Sequence, residues 1–406
     1  MDVEEIVRSE LAAVQERQSN AAPPRYMPEE YTKFLVREAI GRYESDGRDA
    51  TLAHYNSVES IDGQWYVFIG EPDGAFLAHA ANPDLVNRPV SDAVGPNEYP
   101  VGEAVAAVAD EDGEWFSYTY PNPDTGAVET KHSWMVSSHG LVFGSGWYER
   151  GPKKSDPAAY TQAFVRQALN LYDAMGLEDT LAYYNSSESI DGQWYVFIGD
   201  RDDVLVAHAF DPDLVGRHAS EVVGPNNYPS GLAVLAVADQ DGEWFSYTYP
   251  NPATGTIETK HSWIVAHDGL VFGSGWYEAG PPKSDAPAYT RALVQQALNL
   301  YDALGLEDTV AYYSSEVNVD GPWYVFIIGE DGRIIAHYDP ERMGLDAGSL
   351  TDSAGRLYGP ELVGATEEGE WADYVKLNPE TGQEQQKYSW VVRHDGLVFG
   401  SGWYER

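Results

Sequence analysis

The chain has 406 residues, with 25 Lys and Arg against 65 Asp and Glu, a formal net charge of −40. A field of that sign repels phosphate backbones and anionic lipid, so nucleic acid and membrane surfaces are not expected partners. Cysteine is absent, which removes disulfides, thiolate metal sites and thiol nucleophiles together.

The carboxylate-rich, lysine-poor balance suits a protein working in high salt, where screening removes self-repulsion, and equally a merely very soluble acidic one. At the start, Val3, Val7, Leu11 and Val14 share a helical stripe ahead of Pro23 and Pro24, which predicts a lead-in helix and linker over 1–28. Charges run through this stretch and no apolar core interrupts them, so it does not read as a signal peptide. No run approaches the ~18 apolar residues of a membrane span.

From there the chain repeats itself. "LVFGSGWYE" stands at 141–149, 270–278 and 397–405, and Trp65, Trp194 and Trp323 lie 129 residues apart. A period of that length is a whole domain rather than a solenoid unit. The expected domains are 29–151, 157–280 and 286–406, joined by "RGPKKSDPAA" and "AGPPKSDAPA".

Each repeat opens with a helical stripe, such as Tyr160, Phe164, Val165, Ala168, Leu169 and Tyr172. "GQWYVFIG" and "VLVAHAF" then form a hairpin. After a variable crossover come three strands, "GEWFSYTYPNP", "ETKHSWIVA" and "LVFGSGWYE", with turns at "ATG" and "HDG". One long N-terminal helix packed on a roughly five-stranded antiparallel sheet is an α+β unit. In the nonapeptide, alternation puts Leu, Phe, Ser and Trp on one face and Val, two Gly and Tyr on the other. The glycine face forms a shallow groove, either for the opening helix, with the Trp as core, or for a ligand.

The order "WYVFIGEPDGAFLAHAANPDLVNR", "GEWFSYTYPNPDTGAVETKHSW", "LVFGSGWYE" resembles the single Cache domain, type 2, three times over. The resemblance implies PAS-like sensor domains outside the cytoplasm that bind small organic molecules, commonly carboxylates, with no cofactor. Two departures stand out. The "AHP" proline of that family is Ala80, Ala209 and Tyr338 here, and no output segment follows Arg406. A soluble binding protein or detached sensory part is therefore the expectation.

A carboxylate pocket needs a cation, neutral donors and aromatic walls. Lys131, Lys260 and Lys387 sit inside a strand and are three of only eight lysines, so each is either the ligand's cation or a solvated partner of a surface carboxylate. Lys131 and Ser133 share one face, His132 and Trp134 the other. His79, His208 and His337 follow the aromatic strand, as pocket donors or as structural groups. Tyr118, Tyr247 and Tyr374, with the pairs Trp65 and Tyr66, Trp194 and Tyr195, Trp323 and Tyr324, supply candidate ring walls. Tyr55, Tyr184 and Tyr313 precede the first strand, where loops frame pockets.

The third repeat differs: Lys376 replaces Tyr120 and Tyr249, Tyr388 replaces His132 and His261, and Ser314 replaces Asn56 and Asn185. If the first of these positions lines the pocket, that repeat takes a different or more anionic ligand. Nucleophile elbows, phosphate loops and zinc spacings are missing, so catalysis is not expected. "DEDGE" and "DQDGE" read as Asp-Gly hairpin turns rather than calcium loops. The competing reading is a structural array whose pockets are filled by side chains.

Overall fold

The computed structural model describes residues 22–405. The predicted lead-in helix lies outside that range, apart from its last few residues. Contacts divide the chain into two compact units, one reaching Asp156 and including Arg166–Tyr183, the other formed by Pro157–Val165 and Tyr184 onward.

In the first unit, helices α1 (Pro28–Asp46) and α2 (Arg48–Tyr55) precede strands β1 (Phe68–Gly70) and β2 (Phe76–His79). Helix α3 (Val101–Val108) then leads to β3 (Glu114–Pro121), β4 (Val128–Ser138) and β5 (Leu141–Glu149). The sheet is antiparallel in the order β2-β1-β5-β4-β3. Helix α4 (Pro157–Tyr184) follows.

The second unit holds two sheets with the same order. One comprises β6 (Phe197–Gly199), β7 (Leu205–His208), helix α5 (Ser230–Ala236), β8 (Glu243–Pro250), β9 (Ile257–His267) and β10 (Leu270–Glu278). The other comprises helix α6 (Ala286–Tyr313), β11 (Val325–Ile328), β12 (Ile334–Ala336), helix α7 (Gly359–Val363), β13 (Glu370–Leu377), β14 (Glu384–His394) and β15 (Leu397–Tyr404). Each repeat is thus the α+β, PAS-like unit expected.

Sequence periodicity explains the layering. β3 alternates exposed or half-buried residues with buried Phe116, Tyr118 and Tyr120. The central strand β5 is buried on both faces, as its unbroken apolar and small residues require. On one face lies α1, with Val36 and Ala39 packed on Ile69 and Phe143. Thr32 accepts a hydrogen bond from the Trp65 indole at 3.1 Å, a pin repeated by Thr161 to Trp194 (2.9 Å) and Thr290 to Trp323 (3.0 Å). On the other face lies α3 with the turns before it.

The β4–β5 hairpin closes through His139 and Gly140, both at positive φ, as a two-residue turn of the type whose twist matches paired strands. Asp268–Gly269 and Asp395–Gly396 repeat it. "DEDGE" and "DQDGE", read as hairpin turns, instead carry the chain from a short helix into β3 or β8. There Gly113 and Gly242 sit at positive φ beside Asp110 and Asp239.

Helices also bridge repeats inside each unit. In the second unit, α6 packs on its own sheet at β14 and β15 and also touches α5 and β8 of the preceding repeat. Asn299 donates to the Ser246 carbonyl (3.0 Å), and the Tyr312 hydroxyl donates to the Asn226 carbonyl (3.0 Å). In the first unit Asn170 and Tyr183 make the matching bonds to Ser117 and Asn97. Among the described residues, no helix is long and apolar enough to cross a membrane.

The long opening helix is broken at Gly47, Gly176 and Gly305, each at φ near +80° with extended ψ. Only glycine adopts that conformation cheaply. Gly305→Ala is therefore expected to lower unfolding free energy by about 1–2 kcal/mol. Gly41→Ala, in a regular and open stretch of α1, is expected to raise it by about 0.5–1 kcal/mol. Chemical denaturation of the two variants checks both signs.

Candidate functional site

The second sheet face carries the polar residues singled out above. Lys131, from the middle of β4, is 1% exposed and points between the sheet and α3. Its Nζ donates to the Tyr66 hydroxyl at 2.7 Å and sits 3.9 Å from that ring's centroid. Phe68, Tyr120 and Tyr148 surround it at 5.2, 5.8 and 5.5 Å. The Tyr66 hydroxyl also meets Tyr148, which donates to the Pro121 carbonyl at 3.0 Å. No carboxylate lies within ion-pair distance of Lys131 among the described residues, so the solvated-lysine reading does not hold.

Burial in this apolar shell pushes the Lys131 amine well below the ordinary lysine range, and burial pushes the Tyr66 phenol up. His79 is lowered to about 3, first by burial and then by the nearby lysine. Its Nδ1 accepts the Asn82 backbone N–H at 2.9 Å, which leaves the neutral ring's proton on Nε2 as a donor. Asn56 fixes this strand end by donating to the Leu77 carbonyl and accepting from the His79 backbone N–H.

Glycines make the room. A Cβ on Gly144 would sit 2.1 Å from the Phe68 ring, and one on Gly146 would sit 2.7 Å from the Lys131 stem. The groove therefore opens on the cavity face, not under the helix; α1 lies on the opposite, Leu141 and Phe143 face. The groove floor is occupied by the lysine and the phenylalanine themselves. Trp147, expected in the core, is half-buried and stacks on His132 at 4.3 Å.

The second repeat reproduces the geometry. Lys260 donates to Tyr195 at 2.7 Å, 4.0 Å from its ring centroid, and His208 is likewise lowered to about 3 by burial and then by Lys260. Its cavity measures about 40 Å³, against about 20 Å³ in the first repeat. Leu205 in place of Phe76 and Ser230 in place of Val101 line the larger space. In the third repeat Lys387 is fully buried over the Tyr324 ring at 3.8 Å, with His337 lowered to about 3.

Of the predicted residues, Lys131, His79, Tyr66 and Tyr118 line one cavity and Lys260, His208, Tyr195 and Tyr247 another. Lys387 and Tyr374 stand at the matching register positions of the third sheet, with the Tyr324 ring against the amine and His337 beside that ring. The structure corrects two sets. Trp65, Trp194 and Trp323 face the helix through the threonine pin. Tyr55 belongs to the helix-side core, and Tyr184 and Tyr313 are buried at the equivalent helix ends; neither Tyr55 nor Tyr184 lines a cavity.

Two contributors escaped the sequence reading. Tyr148 and Tyr277 close the phenol chain, and their place on the glycine face of "LVFGSGWYE" was the available signal. The cavity wall from α3 and α5 lies in the variable crossover, where periodicity is too short to identify a helix. No cluster of metal-ligating side chains occurs among the described residues.

The sequence model of Single Cache domain 2 matches residues 166–277 and 299–404, together more than half of the chain. A second model, described as Cache domain, matches residues 52–151, so the first repeat falls to a different Cache model from the one expected. Among solved structures, a methyl-accepting chemotaxis protein from Vibrio parahaemolyticus RIMD 2210633 is 18% identical, with 30% of this chain and 87% of that one covered and a TM-score of 0.26. A Cache chemosensory domain solved for carboxylic acid recognition is 16% identical, over 36% and 99% of the two chains, at 0.24. The ligand-binding domain of the Pseudomonas fluorescens chemoreceptor CtaA, in complex with L-alanine, is 12% identical over 68% and 98%, at 0.21. No curated protein matches.

The buried amines set the pH dependence of stability. A base whose folded-state value is depressed destabilises the fold below its unfolded value, so the lysine penalty fades as pH rises toward 10.5. Lys260→Met is expected to raise the unfolding midpoint near pH 7, with a gain that shrinks toward pH 10.5. For the histidines the penalty is absent above pH 6.5 and complete below about 3. His208→Gln is expected to flatten the stability loss between those limits in pH-resolved thermal melts.

Proposed function

The chain belongs to the Single Cache domain 2 family, and on that footing we propose that its repeats capture small organic acids for sensing, without catalysis. One observation carries the reading: a lysine amine buried in aromatic rings, with no carboxylate to pair with among the described residues, recurs at the same register in all three sheets. An unpaired buried cation costs several kcal/mol, so the position is a liability that a bound carboxylate offsets. The Nε2 of the neutral histidine supplies a donor beside it. The family resemblance supports small-molecule binding. We read the first repeat as the same unit, since its sheet order and lysine geometry coincide with those of the second.

A second reading applies to that first repeat. Its smaller space, about 20 Å³ against about 40 Å³, and the Phe76 ring favour a filled, structural copy beside a binding one.

Binding a carboxylate restores the lysine's charge, so complex formation takes up protons from buffer. Calorimetric titration of the full chain with propionate or butyrate at pH 9 is expected to give heats that vary with the buffer's ionisation enthalpy. Lys260→Met is expected to abolish binding at the second repeat. Binding that survives this change, with no proton uptake, contradicts the assignment.

A further inference from the structure

The third repeat departs from the other two around the buried amine itself. Lys131 and Lys260 each donate to a phenol at 2.7 Å, but the Lys387 amine has no hydrogen-bond partner, although it is fully buried. It lies opposite Tyr374 in the β13–β14 register, and Lys376 stands two residues further along β13 on the same face. In the first two repeats a tyrosine holds that place, 5.8 Å and 5.6 Å from the buried amine. The ring facing the cation has become a second cation.

A third cation joins them. The short turn after the histidine strand ends in Leu85 and Leu214 in the first two repeats and in Arg342 in the third. Arg342 is close enough to depress both Lys376 and His337, and it reaches Asp339 at 3.7 Å. Lys376 has no ion pair among the described residues. Tyr358 stacks on Tyr374 at 3.9 Å and forms an apolar wall beside the group. The two other differences fall elsewhere: Tyr388 pairs with Glu405 on the outer face, and Ser314 takes the place of the asparagine that clamps the strand end.

Lys387, Lys376 and Arg342 thus gather three basic side chains in a chain of net charge −40, with Arg342 paired to Asp339. We propose that the third repeat selects a small dianion, held by the buried Lys387 and by Lys376 and Arg342 beside it, while the first two repeats take monoanions. This rests on the reading that these cavities hold organic anions. Two carboxylates or one phosphate present the same chemistry, and the test separates them.

The full chain is titrated with succinate, butyrate and inorganic phosphate, as wild type, Lys376→Tyr, Lys376→Gln and Arg342→Leu. Lys376→Tyr and Arg342→Leu install residues that the sister repeats carry at these places, which guards the fold. Succinate is expected to bind one site per chain more tightly than butyrate does there. Both Lys376 variants are expected to weaken it by about tenfold, the worth of one charged hydrogen bond, with butyrate binding unchanged. Phosphate binding with the same dependence on Lys376 assigns the site to an inorganic dianion. Butyrate binding without any succinate or phosphate preference overturns the dianion assignment alone, as does indifference to both Lys376 variants. Failure of all three ligands to bind overturns the general reading along with it.

Discussion

A lysine amine held in a dry aromatic shell is the constraint around which each repeat is arranged. Nothing in the fold requires a cation at the middle of β4, and an apolar residue there would satisfy the sheet at lower cost. The surroundings nevertheless accommodate it at several points. Gly146 leaves room for its stem, Tyr66 accepts its proton, and Tyr148 passes the hydrogen bond on to the Pro121 carbonyl. Buried polar networks of this kind pay off only when every member is satisfied, and here the amine remains the member least well served. Where a protein tolerates such a cost in three places, the reason lies in what the cation meets.

The two faces of the sheet divide the work. The helix face is a conventional core of Val36, Ala39, Ile69 and Phe143, pinned by the threonine–tryptophan hydrogen bond. The other face carries the cavity and is closed by a short helix rather than by a second layer. In the second unit that short helix, α5, also touches α6, which floors the following sheet. The α5 wall is therefore shared with the next repeat, a physical connection between neighbouring repeats of this unit.

Much of this was legible beforehand. The repeat length, the helix-then-sheet order and the strand alternation that aims Lys131 away from His132 follow from periodicity and spacing, while His79 stood between pocket donor and structural group and Tyr118 between ring wall and core. What stayed hidden turned on facing. Two aromatic residues in succession, Trp65 and Tyr66, point to opposite sides, and only the hydrogen bond from Trp65 to Thr32, 33 residues away, decides which. Tyr55 looked like a loop residue at a pocket rim because its helix continues past a glycine break that sequence pattern treats as an end. The lysine's loss of any carboxylate partner is equally invisible in sequence, since it depends on the absence of neighbours in space.

The verbatim nonapeptide has a consequence for how the chain reaches its native state. Three sheets each offer a central slot, and three chemically identical strands are candidates to fill it, so local pairing energy does not distinguish right from wrong insertion. The discrimination comes from tethering. His139–Gly140 and its two counterparts attach each copy to its own β4-type partner through two residues, whereas a copy from the neighbouring repeat must close a loop of 129 residues. That difference is roughly six doublings of loop length, or about 4 kcal/mol in favour of the tethered strand. The tight turns thus act as proofreaders against strand exchange in a chain whose repeats are otherwise interchangeable.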